Sequence, residues 1–357
     1  MSEHAQTELP PTPENSFASD NAAGVAPEVL DALARANDGP ALAYGEDPWT
    51  RRAEQAMDEL FDRPVATYLC WGGTGANVVG LATLLQPWQA VITPDSAHIV
   101  VDECGAPTRF TGSQIIPVAT EDGKLRPEHI DQRVAWLDSE HHPQPAVVSI
   151  SQATEMGTVY STDEIAALCD RAHSHGMKVH LDGARIANAI AAGGNPASMV
   201  ADTGVAVMTF GLTKNGAMYG EAVVFVRPEL AERAAYVRKQ AGQLSSKSRF
   251  IAAQLLALLE NDLWLRNAQH ANDMARLLAD RVADIDGVRL AAAPQVNSVF
   301  VYLPAEMIAP LQAWSFFWEW DLTQSLVRWM TSFATTADDV ERFAHGVETL
   351  LSADATR

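Results

Sequence analysis

The chain has 357 residues, 47% apolar and 20% charged, enough to bury one large domain or two unequal ones. Its formal net charge of -20 argues against a nucleic-acid partner or an anionic membrane surface, both of which would repel it. The three cysteines (Cys70, Cys104, Cys169) are odd in number and lack Cys-x-x-Cys spacing, which argues against a disulfide framework or a zinc site and suits a reducing cytosol.

No apolar run approaches the length of a membrane span, and the N-terminus shows no basic-then-apolar leader pattern, so a cytoplasmic protein is expected. Residues 1–15 are polar and proline-rich and are expected to be disordered. Order is expected from Phe17–Ala18–Ser19–Asp20–Asn21, a polar triplet that reads most simply as a turn ahead of a helix cap. Pro27 to Leu33 has an acidic first turn and helical apolar spacing. Tyr44–Gly45–Glu46–Asp47–Pro48–Trp49 is a loop dense in hydrogen-bonding groups and aromatics, and a helix from Thr50 to Phe61 follows it, ending before Pro64.

A strand over Ala66–Cys70 runs into Gly72–Gly73–Thr74–Gly75–Ala76–Asn77, which opens an apolar helix to Leu85. Glycines let backbone amides approach an anion, and the helix N-terminus adds partial positive charge, but such a turn is weak on its own. The next strand, Ala90–Thr93, leads to His98 at a strand-to-helix junction. There the imidazole either caps the helix or lays its ring on a flat cofactor. Ile115–Val118 and Ala146–Ile150 continue the alternation, and His141–His142 lies in a polar, Pro-flanked loop read as solvated. Ser161–Thr162–Asp163–Glu164 reads as a capping box for a helix ending at Gly176. The strand Val179–Leu181 then runs into Asp182, Gly183, Ala184 and Arg185, and Val205–Phe210 leads to Lys214.

This β–α order predicts a mostly parallel sheet with helices on both faces and ligands at the C-terminal strand ends. Thr74, His98, Asp182 and Lys214 all fall at such ends. An acid closing one strand and an amine closing another suit pyridoxal phosphate (PLP), whose aldehyde condenses with a lysine and whose ring nitrogen is kept protonated by a carboxylate. Of only five lysines (Lys124, Lys178, Lys214, Lys239, Lys247), Lys214 alone follows a long apolar strand. Further on come a strand over 220–226, a long helical region from Glu229 to Leu259, and a helix from Leu263 to Ile285. Strands over Val296–Tyr302 and Ser325–Met330 and a closing helix from about Thr336 complete a smaller α+β domain.

The segments Phe17–Asn21, Tyr44–Pro48, Gly73–Asn77, His180–Arg185 and Lys214 in its context resemble the low-specificity L-threonine aldolases, in the β-eliminating lyase branch of fold-type I PLP enzymes. The resemblance implies an aspartate-aminotransferase-like α/β large domain over residues 16–240, followed by a helical connection and small domain over 241–357. It implies that Lys214 condenses with the cofactor, that Asp182 pairs with its ring nitrogen, and that Arg185 sits near its O3′ or the substrate carboxylate. Gly73 and Thr74 would hold the phosphate, with Lys247 reaching it from a neighbouring subunit. His98 would stack on the ring, and Arg328 would grip the substrate carboxylate with Ser19 beside it. Tyr44 is a further substrate-side candidate. Many relatives carry Thr-His-Asn where this chain has Thr154–Glu155–Met156, so the proton-accepting base is left between His98, Glu155 and a water held by either.

The implied activity is retro-aldol cleavage of L-threonine, L-allo-threonine and related β-hydroxy-α-amino acids to glycine and an aldehyde, by a cytoplasmic homotetramer with active sites at subunit boundaries and no metal. PLP-dependent β-elimination, racemisation or transamination on the same fold, and a fold member without turnover, are the alternatives.

Overall fold

In the computed structural model, which describes residues 9–354, the strands form one seven-stranded and one four-stranded sheet. The chain divides into two compact units, Val25–Leu265 and a second made of residues up to Gly24 with those from Arg266 onward. The chain resumes the second unit after 241 residues, so sequence order hid this grouping. The expected boundaries placed 16–24 in the large domain and 241–265 in the stretch given to a helical connection and small domain; here 16–24 group with the second unit and 241–265 with the large one.

The large unit opens with α1 (Pro27–Ala36) and α2 (Pro48–Phe61). Asp47 caps α2, its carboxylate accepting from the Thr50 N–H at 2.8 Å and the Thr50 hydroxyl at 2.8 Å, so the helix begins two residues before its expected start. Then follow β1 (Ala66–Cys70), α3 (Gly73–Leu84), β2 (Gln89–Pro94), α4 (His98–Val101), α5 (Ala106–Thr111), β3 (Gln114–Val118), α6 (Pro127–Val134) and β4 (Gln144–Ser151). The capping box is present in α7 (Thr162–Ser174): Ser161 Oγ accepts from the Glu164 N–H at 3.1 Å, and Glu164 accepts from the Ser161 N–H at 2.7 Å. Next come β5 (Lys178–Gly183), α8 (Ile186–Ala191), β6 (Val207–Gly211), β7 (Glu221–Phe225), α9 (Ala234–Gln240) and α10 (Arg249–Leu259).

The strand order is β1-β7-β6-β5-β4-β2-β3, with β7 antiparallel to both neighbours and the other pairs parallel. Strands β6 and β7 are buried along their whole length, as apolar runs in a sheet covered on both faces should be. In the parallel ladders Ser151 is paired with Asp182 and Asp182 with Thr209, so three polar side chains form a row where the strands end. The expected long helix over 229–259 is broken between α9 and α10. The interrupting residues include Gly242, Ser245, Ser246 and Ser248, all weaker helix formers than the alanines and leucines on either side.

In the second unit α11 (Leu263–Val282, entering it at Arg266), α12 (Ala305–Trp314) and α13 (Ala337–Asp354) accompany the antiparallel sheet β10-β11-β9-β8. Its strands are β8 (Arg289–Leu290), β9 (Ser298–Tyr302), β10 (Trp318–Asp321) and β11 (Leu326–Met330). Its core gathers Phe17, Leu278, Val301, Leu311, Phe317, Trp329 and Phe343. Residues 1–8 of the expected disordered tail lie outside the described residues. Residues 9–15 are held in place: the Pro10 carbonyl accepts from Trp314 Nε1 at 3.1 Å, and the Glu14 and Asn15 N–H groups donate to Asp339 Oδ1 at 2.8 and 3.1 Å. Polar composition concealed this, because these contacts join backbone groups to two distant side chains, Trp314 and Asp339.

Candidate active site

The ends of β4, β5 and β6 and the start of α3 surround a cavity in the large unit. It is lined by Gly73, Asn77, His98, Glu103, Ser151, Ala153, Glu155, Asp182, Ala184, Arg185 and Lys214. The residue pair singled out from sequence, Asp182 and Lys214, therefore faces one space. Gly73, His98, Glu155 and Arg185 join them there.

Asp182 is buried, and both its oxygens are engaged: Oδ1 accepts from the Ala184 N–H at 3.0 Å and Oδ2 from Asn77 Nδ2 at 2.7 Å. Asn77 sits inside α3 among apolar residues and is fully coordinated. Its Nδ2 also donates to Glu103 Oε1 at 2.8 Å, and its Oδ1 accepts from the Thr209 hydroxyl at 2.8 Å. Glu103 Oε1 in turn meets His98 Nδ1 at 2.9 Å, leaving Nε2 as the other ring nitrogen. That hydrogen bond to Glu103 raises the His98 pKa above its ordinary value of 6.5, against the lowering effect of burial. His98 opens α4 but supplies no side-chain cap, and it lines the cavity.

The His98 N–H donates to Glu155 Oε1 at 2.9 Å, and the Ser151 hydroxyl donates to the same oxygen at 2.7 Å. Burial raises the Glu155 pKa above the ordinary 4.5, and its Oε2 is buried without a hydrogen-bond partner. On β5, two residues before Asp182, His180 Nδ1 meets the Ser149 hydroxyl at 2.9 Å, and burial pulls this imidazole down to about 4, so it stays neutral. The Asp182 and Lys214 strand ends sit tightly together: a Cβ on Gly211 would lie 2.3 Å from the Ala184 carbonyl oxygen.

Thr74 follows Gly73 in the first turn of α3 but is not part of the cavity lining. Tyr44 and Lys247 are exposed and also lie off this wall; the Tyr44 N–H donates to the Ser246 carbonyl at 2.9 Å, and Lys239 sits over its ring. Ser19 caps a short turn over Asp20–Ala22 by accepting from the Asn21 N–H at 3.2 Å, as its local sequence suggests. Arg328 lies in β11 with its guanidinium 4.9 Å from the Trp320 ring centre. Both belong to the second unit.

Asn77 and Glu103 escaped the sequence reading. The signal for Asn77 was an amide alone in an otherwise apolar helix, and for Glu103 an acid five residues beyond His98. Gly73, at the N-terminus of α3, could receive an anionic group, and Asp182 and Lys214 could serve a flat ring between them. Among the described residues no cluster of three His, Cys, Asp or Glu side chains could hold a metal ion, and no helix is long and apolar enough to cross a membrane.

The β-eliminating lyase family profile matches residues 16–306. The chain is 42% identical to the low-specificity L-threonine aldolase of Pseudomonas aeruginosa, an alignment covering 94% of this chain and 98% of that one. The chain belongs to the β-eliminating lyase family, in its threonine aldolase branch. The structure overlays a threonine aldolase of Leishmania major with a TM-score of 0.87 at 32% identity, covering 95% of this chain and 99% of that one. It also overlays an aspartate aminotransferase of Thermus thermophilus with a TM-score of 0.70 at 16% identity, covering 98% and 99%, which places the fold in fold type I. The large, mostly parallel sheet and the smaller α+β domain expected from sequence are both present, and the smaller domain's sheet is antiparallel.

Proposed function

We propose that this protein uses PLP to cleave L-threonine, L-allo-threonine and related β-hydroxy-α-amino acids to glycine and an aldehyde. The observation that carries the reading is that Asp182 and Lys214, at the ends of neighbouring parallel strands, line one cavity. The residues present fit the cofactor: a buried, doubly anchored carboxyl, an amine across the same space and a glycine-started helix. When bound, PLP supplies an aldehyde to condense with amines and a ring that accepts the electron pair released from Cα.

Lys214 would hold the cofactor covalently and yield to the incoming amino group. Asp182 would keep a proton on the ring nitrogen, its geometry fixed by Ala184 and Asn77. His98 presents its ring as a wall of the site, with Nδ1 tied to Glu103. Its Nε2 or the Glu155 Oε2, buried without a hydrogen-bond partner, would take the β-hydroxyl proton, directly or through water. Both groups have raised pKa values, His98 through its hydrogen bond to Glu103 and Glu155 through burial. Such general-base assistance is worth ~10²–10⁴-fold in rate. Arg185, on the cavity wall, is assigned to the cofactor O3′ or the substrate carboxylate. From sequence resemblance, Gly73 and Thr74 are assigned to the phosphate, Lys247 to the phosphate of a neighbouring subunit within a homotetramer, and Ser19, Tyr44 and Arg328 to the substrate.

The test is a panel of L-threonine, L-allo-threonine, D-threonine and phenylserine, each assayed for aldehyde and glycine with and without added PLP. Aldehyde and glycine in equal amounts from an L-isomer support the reading. Ammonia with 2-oxobutyrate or phenylpyruvate, a β-hydroxy keto acid without ammonia, or the Cα epimer as the main product would replace it with elimination, transamination or racemisation, respectively.

A further inference from the structure

A buried acid beside the lysine turn is used by none of these steps. Strand β7 opens on Glu221, whose residue is 5% exposed. Its Oε2 accepts from the Leu212 N–H at 2.6 Å, two residues before Lys214. The turn is pinned on both sides: the Thr213 hydroxyl donates to the Gly220 carbonyl at 3.2 Å, the Ala217 N–H to the Leu212 carbonyl at 3.2 Å, and Asn215 Nδ2 to the Trp264 carbonyl at 2.8 Å. A carboxyl this deep must either keep its proton or find a compensating cation.

The charged and titratable groups acting on it are few. Lys214 on the turn opposes the effect of burial, and Asp182 at the end of β5 reinforces it. Cys70 on β1 is the residue paired with Glu221 across the sheet, and burial pushes its thiol up to about 12, so it stays neutral. Neither α3, which packs on β7, nor β6 carries a titratable side chain.

We propose that Glu221 is a positioning residue for Lys214: it fixes the turn that carries the amine and holds the charge that balances it. This deepens the reading above and rests on Lys214 being the lysine that condenses with PLP. Burial pushes the Glu221 carboxyl up to about 7, with Lys214 opposing that rise.

Glu221→Gln keeps an acceptor for the Leu212 N–H and removes the charge. With the PLP-loaded full chain, the pH midpoint of the visible absorbance is expected to fall by about one unit in E221Q, because a negative neighbour no longer favours the protonated form. Thermal unfolding of the chain without added cofactor gives a second readout. Wild-type stability is expected to decline as pH rises from about 4.5 to about 7, since the folded state keeps a proton the unfolded state has released. E221Q is expected to flatten that decline, and Lys214→Ala to extend it to higher pH. Should a folded E221Q keep both the wild-type midpoint and the wild-type decline, the proposal is overturned and Glu221 is only a structural bond. No visible band in PLP-loaded wild type would instead overturn the lysine reading itself, so the two failures are told apart.

Discussion

At the scale of single residues, one carboxylate oxygen does much of the organising. Glu103 Oε1 receives Asn77 and faces His98 Nδ1, so it steers the amide that fixes Asp182 and the imidazole on the cavity wall together. Glu103→Gln should keep an acceptor for Asn77 while releasing the charge that raises the His98 pKa. NMR titration of labelled histidines is expected to show the His98 midpoint falling toward its ordinary 6.5. The linked stability follows in sign. In the wild type the His98 contribution is complete below about pH 6.5 and is lost as pH rises through the raised folded value; E103Q should remove that window. An unchanged midpoint would mean that Glu103 does not set this titration.

At the scale of elements, the site depends on how closely β5 and β6 finish together. Gly211→Ala would push a methyl into the Ala184 backbone, which has no rotamer with which to yield. We expect it to destabilise the chain by about 1–3 kcal/mol, measured by urea unfolding, and to weaken cofactor retention with it. Wild-type stability in that variant would show the strand ends to be looser than drawn. The same elements explain what could be read in advance. Asp182 and Lys214 were legible because apolar strands of a parallel sheet end at ligand sites, and the strand runs were plain. Asn77 and Glu103 were not, since their roles arise where α3 meets the turn that follows α4, 26 positions further along the chain. The break between α9 and α10 was missed because an apolar pattern on either side outweighed a short glycine- and serine-rich stretch.

At the scale of the molecule, the N-terminal segment is part of the second unit although the sequence places it ahead of the first. Asp339 anchors that arrangement, accepting from Glu14, Asn15 and Thr336. Burial pushes its carboxyl up, but the bonds from Asn15 and Thr336 outweigh this and hold it at about 2, below the ordinary 3.8. Its stabilisation is therefore complete above about pH 3.8 and lost as pH falls toward 2. Asp339→Ala is expected to cost about 2 kcal/mol at neutral pH and to expose residues 9–15 to limited proteolysis. Equal protease resistance of variant and wild type would contradict that anchoring role. The activity itself comes down to one amine. Purified wild type and Lys214→Ala, each supplied with PLP and L-threonine, are to be compared for visible absorbance and acetaldehyde release in the same samples. The expected result is a band and aldehyde from the wild type and neither from the variant; aldehyde release by Lys214→Ala at the wild-type rate would contradict the account.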